Sequence, residues 1–190
     1  MYNQIARTIA LQQKMGKVPE IARLFALINV AMADVGIASW ESKFFYQYWR
    51  PVTAIRNAAR GLPRDPGFYP LGAQATNTIM GPDFTPPFPS YTSGHATLGG
   101  ALFEILRQFW PDATSFTFIS DEWNGKNKDD EGNIRPLRPA SYKSFSQAET
   151  GNAQSRIYMG IHWQFDADEG IKQGNKVGDF VFAHAFQPVR

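Results

Sequence analysis

The chain has 190 residues, 43% of them hydrophobic, with 19 Lys and Arg against 17 Asp and Glu. That length and composition suit a single domain over 1–190 with a sizeable core, and exclude a disordered tail or a coiled-coil rod. A formal charge of +2 with no dense basic stripe argues against nucleic acid as a partner, and the absence of cysteine removes disulfide scaffolds, thiolate metal sites and cysteine nucleophiles.

The opening MYNQIARTIALQQKMGKV interrupts its apolar run with Gln and Lys, so no signal peptide is read there. The most apolar stretch, 21–40, contains Arg23, Asn29 and Asp34, which are costly at a bilayer centre. The expectation is a soluble chain without a membrane span, its compartment left open. Proline then divides the sequence, because residues 20–50, 90–110 and 140–187 contain none. In the first block Ile21, Leu24, Phe25, Ile28, Met32 and Val35 recur at helical spacing, with Leu27, Val30 and Ile37 on the opposite face. This predicts a buried central helix that starts near Pro19 and ends or bends at Arg50-Pro51.

From Pro51 to Pro89 the prolines predict loop, with a short helix through Thr53–Arg60. Thr92, Ser93 and Gly94 then open a helix carrying Leu98, Leu102, Ile105 and Phe109 on one face until Pro111. Residues 112–141 combine a short alternating stretch, Thr114–Ile119, with the exposed polar run DEWNGKNKDDEGN. Two helices follow, Ser146–Tyr158 and Phe165–Phe186, broken at Gly160. The predicted fold is an all-α bundle of about five helices with two long Pro/Gly-rich loops, and connections of that length call for a functional reason.

Three clusters supply one. In KFFYQYWRP, Lys43 and Arg50 lie seven apart, about two helical turns, so on one helix they emerge on nearly the same face roughly 10 Å apart. In PSYTSGHAT, Ser93, Gly94 and His95 fall at a helix start, where free N–H groups and the dipole favour an anion and His95 adds a group that titrates near neutral pH. In SRIYMGIHWQFD, a break at Gly160 lets Arg156 meet His162, and Asp166 four residues on can fix the imidazole tautomer, leaving the other nitrogen as nucleophile or ligand. Each cluster alone reads most simply as a solvated ion pair, an ordinary N-cap or a buried salt bridge. Together they describe a pocket for a tetrahedral or trigonal-bipyramidal oxyanion.

Lys43 with Arg50-Pro51, then Ser93-Gly94-His95, then Ser155-Arg156 with His162 and Asp166, form an ordered set over residues 40–166. The set resembles the three-part motif shared by vanadium-dependent haloperoxidases and type 2 phosphatidic acid phosphatases. YWRPVTAIR, PPFPSYTSGHATLGG, FISDEWNG and SRIYMGIHWQFDA, with the long stretch between His95 and Ser155, are more similar to the haloperoxidase branch. The resemblance implies the C-terminal metal-binding helical bundle of that family, and vanadate as cofactor. It implies that His162 binds vanadium with Asp166 as its orienting partner, and that Lys43, Arg50, Ser93, Gly94 and Arg156 hold the vanadate oxygens. His95 becomes the acid–base group for hydrogen peroxide, and Lys43 the group that polarises bound peroxide. Halide and a small organic acceptor are the other implied partners. Trp40 and Phe88 fall where chloride-oxidising relatives carry the same residue types, which suggests a chloroperoxidase-like halide pocket, although both also read as simple core packing.

Two departures stand out: Thr92 replaces the family's usual proline, and relatives are much longer, building a second bundle from upstream sequence. Apolar helix surface left over predicts a homo-oligomer or a piece of a longer protein. The alternative activity is an acid phosphatase acting through a phosphohistidine at His162 with His95 protonating the leaving group, and a third reading is a non-catalytic oxyanion-binding remnant. His184, among Phe180, Phe182 and Phe186, reads as structural, and Lys128–Gly132 as a solvated turn without the spacing of a calcium loop.

Overall fold

The computed structural model, which describes residues 1–57, 61, 63–74 and 83–187, is built on six α-helices. They are α1 (Tyr2–Gln12), α2 (Val18–Tyr46), α3 (Pro51–Arg56), α4 (Gly94–Arg107), α5 (Phe145–Tyr158) and α6 (Gln164–His184). Strands β1 (Ala73–Gln74) and β2 (Asp83–Phe84) pair antiparallel, as do β3 (Phe116–Phe118) and β4 (Ala140–Tyr142). The second pair sets Phe116 opposite Tyr142 and Phe118 opposite Ala140; Phe116 and Phe118 enter the core while Thr117 faces out to bond Ser141 at 2.8 Å.

The bundle is the all-α architecture that proline placement predicts, with one helix unforeseen. Helix α1 follows from Ile5, Ala6, Ile9 and Ala10, which bury one stripe at helical spacing beneath Gln and Arg. The core gathers α1, the inward side of α2 at Leu24, Leu27, Ile28, Ala31 and Val35, the apolar face of α4, and Phe116, Phe118 and Phe145.

Glycine sets how closely α4 and α6 approach. A Cβ on Gly174 would overlap the Thr97 carbonyl oxygen, and one on Gly100 would come within 2.8 Å of the Ile171 oxygen. Only hydrogen fits between these backbones. The first turns of the two helices are thereby joined, and the Ser93 N–H donates to the Asp166 carbonyl at 3.0 Å.

Four sequence expectations need correction. Helix α2 stops at Tyr46, not Arg50: Gln47 turns left-handed at φ 46°, its N–H bonding the Lys43 carbonyl, and Arg50 is extended ahead of Pro51. A residue before proline is pushed out of the α region, so Arg50 was never suited to end a helix. Helix α3 begins at Pro51 and ends at Arg56; the last three residues of the expected Thr53–Arg60 helix lie outside the described residues. The alternating stretch forms a strand only over Phe116–Phe118. Lastly, α2 is buried on one side only, with Ile37, Phe44 and Phe45 exposed at 70%, 57% and 77%. By length and composition alone α2 is also apolar enough to cross a membrane.

Candidate oxyanion-binding site

Lys43, on the last turn of α2, is fully buried. Its ammonium donates to the carbonyls of Pro89 (3.2 Å), Ser90 (3.1 Å) and Thr92, and lies over the rings of Trp40 and Phe88 at 5.5 and 5.3 Å. Those three acceptors match the three N–H donors of an ammonium, so Lys43 here braces the 89–92 segment. Burial, helped by the Arg50 cation and opposed by Asp166, pushes its pKa down to about 7.

Arg50 reaches the same place from the extended segment after α2. Nε donates to the Phe88 carbonyl (3.0 Å), and Nη1 donates to the Ile161 carbonyl (2.8 Å) and to His162 Nε2 (2.9 Å). Its Nη2 is buried without a hydrogen-bond partner. Lys43 and Arg50 therefore do converge, through the turn at Gln47 and not along one helix face.

His162 sits just ahead of α6 and is 6% exposed. A guanidinium can only donate, so Nε2 presents its lone pair to Arg50 and the ring proton lies on Nδ1, 2.9 Å from Asp166 Oδ2. Burial pushes the imidazole pKa down to about 4; the Asp166 bond opposes this, while the Arg50 and Lys43 cations reinforce it. Asp166 occupies the first turn of α6, and its Oδ2 also accepts the Trp163 N–H (3.0 Å) and the Ser90 hydroxyl.

At the head of α4, Ser93 is an N-cap residue whose side chain does not cap; its hydroxyl is buried and unpartnered. The space over Gly94 belongs to Trp40, whose ring would lie 3.3 Å from a Cβ there, and Trp40 meets Phe88 with centroids 5.2 Å apart. His95 takes a 3.4 Å contact at Nε2 from Arg156 Nη1. His95 keeps an exposed face, yet partial desolvation by its neighbours, then the cations of Arg156, protonated His162 and Lys43, push its pKa down to about 4. Arg156 was expected to meet His162. It meets His95 instead, because α5 packs along α4 and directs its last turn at the head of that helix.

Sequence reasoning singled out neither Ser90, which links the 89–92 segment to Asp166, nor Tyr2 and Asn152, which donate to the His95 carbonyl at 3.2 and 2.6 Å. Ser90 lies within the PSYTSGH string, where a serine flanked by aromatics and proline is a readable signal. Tyr2 is too distant in sequence to leave one. His184 stacks on Phe180 (centroids 4.2 Å apart) at the other end of α6, and Asp129 in the 128–132 turn accepts the backbone N–H groups of Glu131 and Asn133.

Among the described residues, Lys43, Arg50 and Arg156 form no ion pair with a carboxylate. Lys43 and Arg50 are buried and Arg156 is half-buried; cations held away from water without counter-charge are costly, and an anion relieves that cost. The unpartnered Arg50 Nη2 and Ser93 hydroxyl are donors, the kind of group that an oxyanion's oxygens accept from. No group of three His, Cys, Asp or Glu able to hold a bare cation occurs among the described residues. A metal oxide needs none, since it brings its own oxygen ligands, and one imidazole lone pair with surrounding donors fits it.

The VCPO second helical-bundle domain model matches residues 23–190. The vanadium chloroperoxidase of Curvularia inaequalis is 38% identical over 199 residues, an alignment that takes 87% of this chain and 32% of that protein. A bacterial vanadium-dependent iodoperoxidase superposes with TM-score 0.73 at 31% identity, covering 96% of this chain and 38% of the other. The apo form of a bacterial vanadium-dependent chloroperoxidase, at TM-score 0.58 and 22% identity over 83% of this chain and 35% of the other, shares the fold. The chain thus spans about a third of the length of these relatives. Matched over so much of its own length, it belongs to the vanadium haloperoxidase family, in the region of the family's second helical bundle.

Proposed function

We propose that this chain carries the vanadate site of a vanadium-dependent haloperoxidase, which oxidises halide with hydrogen peroxide to hypohalous acid or an equivalent halogenating species. One juxtaposition supports the reading above all: a neutral imidazole, its Nε2 lone pair fixed by the Nδ1–Asp166 bond, lies beside cations that have no carboxylate partner. Vanadate held there would supply Lewis-acid activation of peroxide towards halide attack.

The chain's own groups have separate tasks. His162 Nε2 would hold the vanadium, exchanging its bond from Arg50 for a metal bond. Arg50 Nη2, the Ser93 hydroxyl, Arg156 and the backbone at Gly94 would hold the oxygens. Lys43, whose three N–H groups are taken by the carbonyls of Pro89, Ser90 and Thr92, would bear on them through its charge or by giving up one of those carbonyls. This positive field favours negative charge that develops during reaction. Asp166 keeps the proton on Nδ1, so that Nε2 stays available. His95, neutral at pH 7 with a pKa of about 4, accepts a proton at Nε2 and releases it readily because Arg156 disfavours the doubly charged pair. Trp40 and Phe88 wall the space beside the Lys43 ammonium with apolar surface, a setting in which halide meets a cation out of bulk water.

The unprotonated Nε2 of His162, once released by Arg50, also suits attack on phosphorus, which keeps an acid phosphatase as the rival reading. The deciding experiment gives the protein orthovanadate, peroxide and bromide with a dione reporter, alongside an aryl phosphate assay. Dione bromination that requires both vanadate and peroxide is expected. Phosphate ester hydrolysis inhibited by vanadate, without bromination at any pH from about 4 to 8, would replace the proposal with the phosphatase.

A further inference from the structure

Thr92 joins three parts of the fold through one buried hydroxyl. It lies two residues ahead of α4 and is 2% exposed. Its hydroxyl donates to Gln173 Oε1 on α6 at 2.7 Å and lies 3.2 Å from the Ser39 hydroxyl on α2. An amide oxygen only accepts, so the Thr92 proton is committed to Gln173 and Ser39 is the donor of the other bond. Gln173 continues the chain through Nε2 to the Ser42 hydroxyl (3.3 Å), which itself donates to the Ala38 carbonyl (2.9 Å). Thr92 and Ser42 thus each give one hydrogen and accept one, in a polar clasp that fastens the 89–92 segment to α2 and α6.

The backbone of the same residue bears on the site. The Thr92 carbonyl is one of three that accept from the Lys43 ammonium, with those of Pro89 and Ser90. Ser90 is fixed independently, by its N–H to the Tyr48 carbonyl (2.8 Å) and its hydroxyl to Asp166. Ser93 has anchors of its own as well, its N–H on the Asp166 carbonyl and its carbonyl under the Thr97 N–H (2.9 Å). Between these anchors, the side chain of Thr92 is what fastens the Thr92 carbonyl to two helices. We propose that Thr92 is a positioning residue for the oxyanion site: its clasp with Gln173 and Ser39 fixes the carbonyl that holds the Lys43 ammonium, and so fixes where that charge lies. The role rests on the oxyanion-binding reading of the site.

The Lys43 cation helps to push the imidazole pKa of both His95 and His162 down, so its field reaches both sides of the site. Attraction between an ammonium and an oxyanion varies with their separation, and in a buried site little solvent screens the difference. Valine in place of Thr92 is close in shape but leaves the Ser39 hydrogen and the Gln173 oxygen without their partner, which loosens the segment.

Calorimetric titration with orthovanadate, and with inorganic phosphate as a second tetrahedral oxyanion, reads the role without turnover. Thr92→Val is expected to weaken binding of both anions about fivefold to tenfold, as for one lost hydrogen bond, whereas Thr92→Ser keeps the hydroxyl and should bind within about twofold of wild type. Gln173→Met, at a half-buried position, removes the same bond from the α6 side and should cause a similar loss. In a Lys43→Met background, adding Thr92→Val should change affinity less than about twofold, because the charge that Thr92 positions is gone. An undiminished effect of Thr92→Val in that background places its action elsewhere and overturns the proposal. So does wild-type affinity in both Thr92→Val and Gln173→Met, or a loss in Thr92→Ser equal to that in Thr92→Val. Wild-type protein that binds neither anion defeats the oxyanion reading itself, and this role with it.

Discussion

His162 Nδ1 lies 2.9 Å from Asp166 Oδ2, although only Asp166 is within α6. The residues are four apart, the interval at which two helical side chains meet, but here the pair bridges a loop and the helix that follows it. The same carboxylate oxygen accepts the Trp163 N–H, so one atom both caps the helix and sets the imidazole tautomer. Helix start and ligand orientation are thus one structural event.

Asp166→Asn tests that coupling. The amide keeps the size but presents a weaker acceptor to three converging donors, from Ser90, His162 and Trp163. Vanadate affinity is expected to fall about 10–100-fold by calorimetric titration. Loss of the charged cap should cost about 1 kcal/mol in urea unfolding. An affinity equal to wild type would show that the carboxylate does not orient the ligand.

The depressed pKa of His162 makes vanadate-free stability depend on pH. Its folded value of about 4 lies below the ordinary 6.5, so the fold favours the neutral ring. That contribution is complete above about pH 6.5 and is lost as pH falls through about 4, an effect of about 3 kcal/mol at most. Urea midpoints at pH 7, 5.5 and 4 should decline in wild type and decline less steeply in His162→Gln. Parallel curves would assign the acid sensitivity to other groups.

Proline and glycine made much of this arrangement legible beforehand. Pro51 and Gly160 stand at real joints, the helix opened by Ser93 and Gly94 is there, and Lys43, Arg50, His162 and Asp166 do gather. The failures share a physical cause. A pattern of side chains reports which face is apolar, not which backbone bond turns left-handed, so Gln47 ended α2 unseen and the Lys43–Arg50 pair converged by another route. Helix α1 has a legible apolar stripe at Ile5, Ala6, Ile9 and Ala10 that a reading aimed at a signal peptide passes over, but its contact with His95 depends on tertiary packing that no local pattern encodes. Arg156 chose His95 over His162 for the same reason.

The glycine seam between α4 and α6 predicts opposite effects for two superficially equal substitutions. In Gly174→Ala the new methyl would strike the backbone at Thr97 and Ala101, which cannot rotate away. A loss of about 2–3 kcal/mol is expected, with weaker vanadate binding as the head of α4 moves off Asp166. Gly36→Ala in α2 meets nothing within 4 Å and should gain about 0.5–1 kcal/mol from helix propensity. Thermal unfolding of both variants checks the pair; equal shifts would mean that close backbone approach is not what holds these helices together.

The two histidines should separate cleanly when each is removed. His162 supplies the lone pair fixed by Asp166, so His162→Ala is expected to abolish vanadium coordination and, with it, any peroxide-dependent bromination. His95 touches Arg156 and makes no hydrogen bond to His162, Arg50 or Lys43, so His95→Ala leaves the lone pair, Arg50 and Lys43 in place. Vanadate affinity in that variant should stay within a few-fold of wild type while turnover falls about 10²–10⁴-fold, the range for loss of a positioned acid–base group. Equilibrium titration with orthovanadate, read beside initial bromination rates, distinguishes the two. Equal vanadate affinity in wild type and His162→Ala would remove that imidazole from the ligand set, and undiminished turnover in His95→Ala would place proton transfer elsewhere.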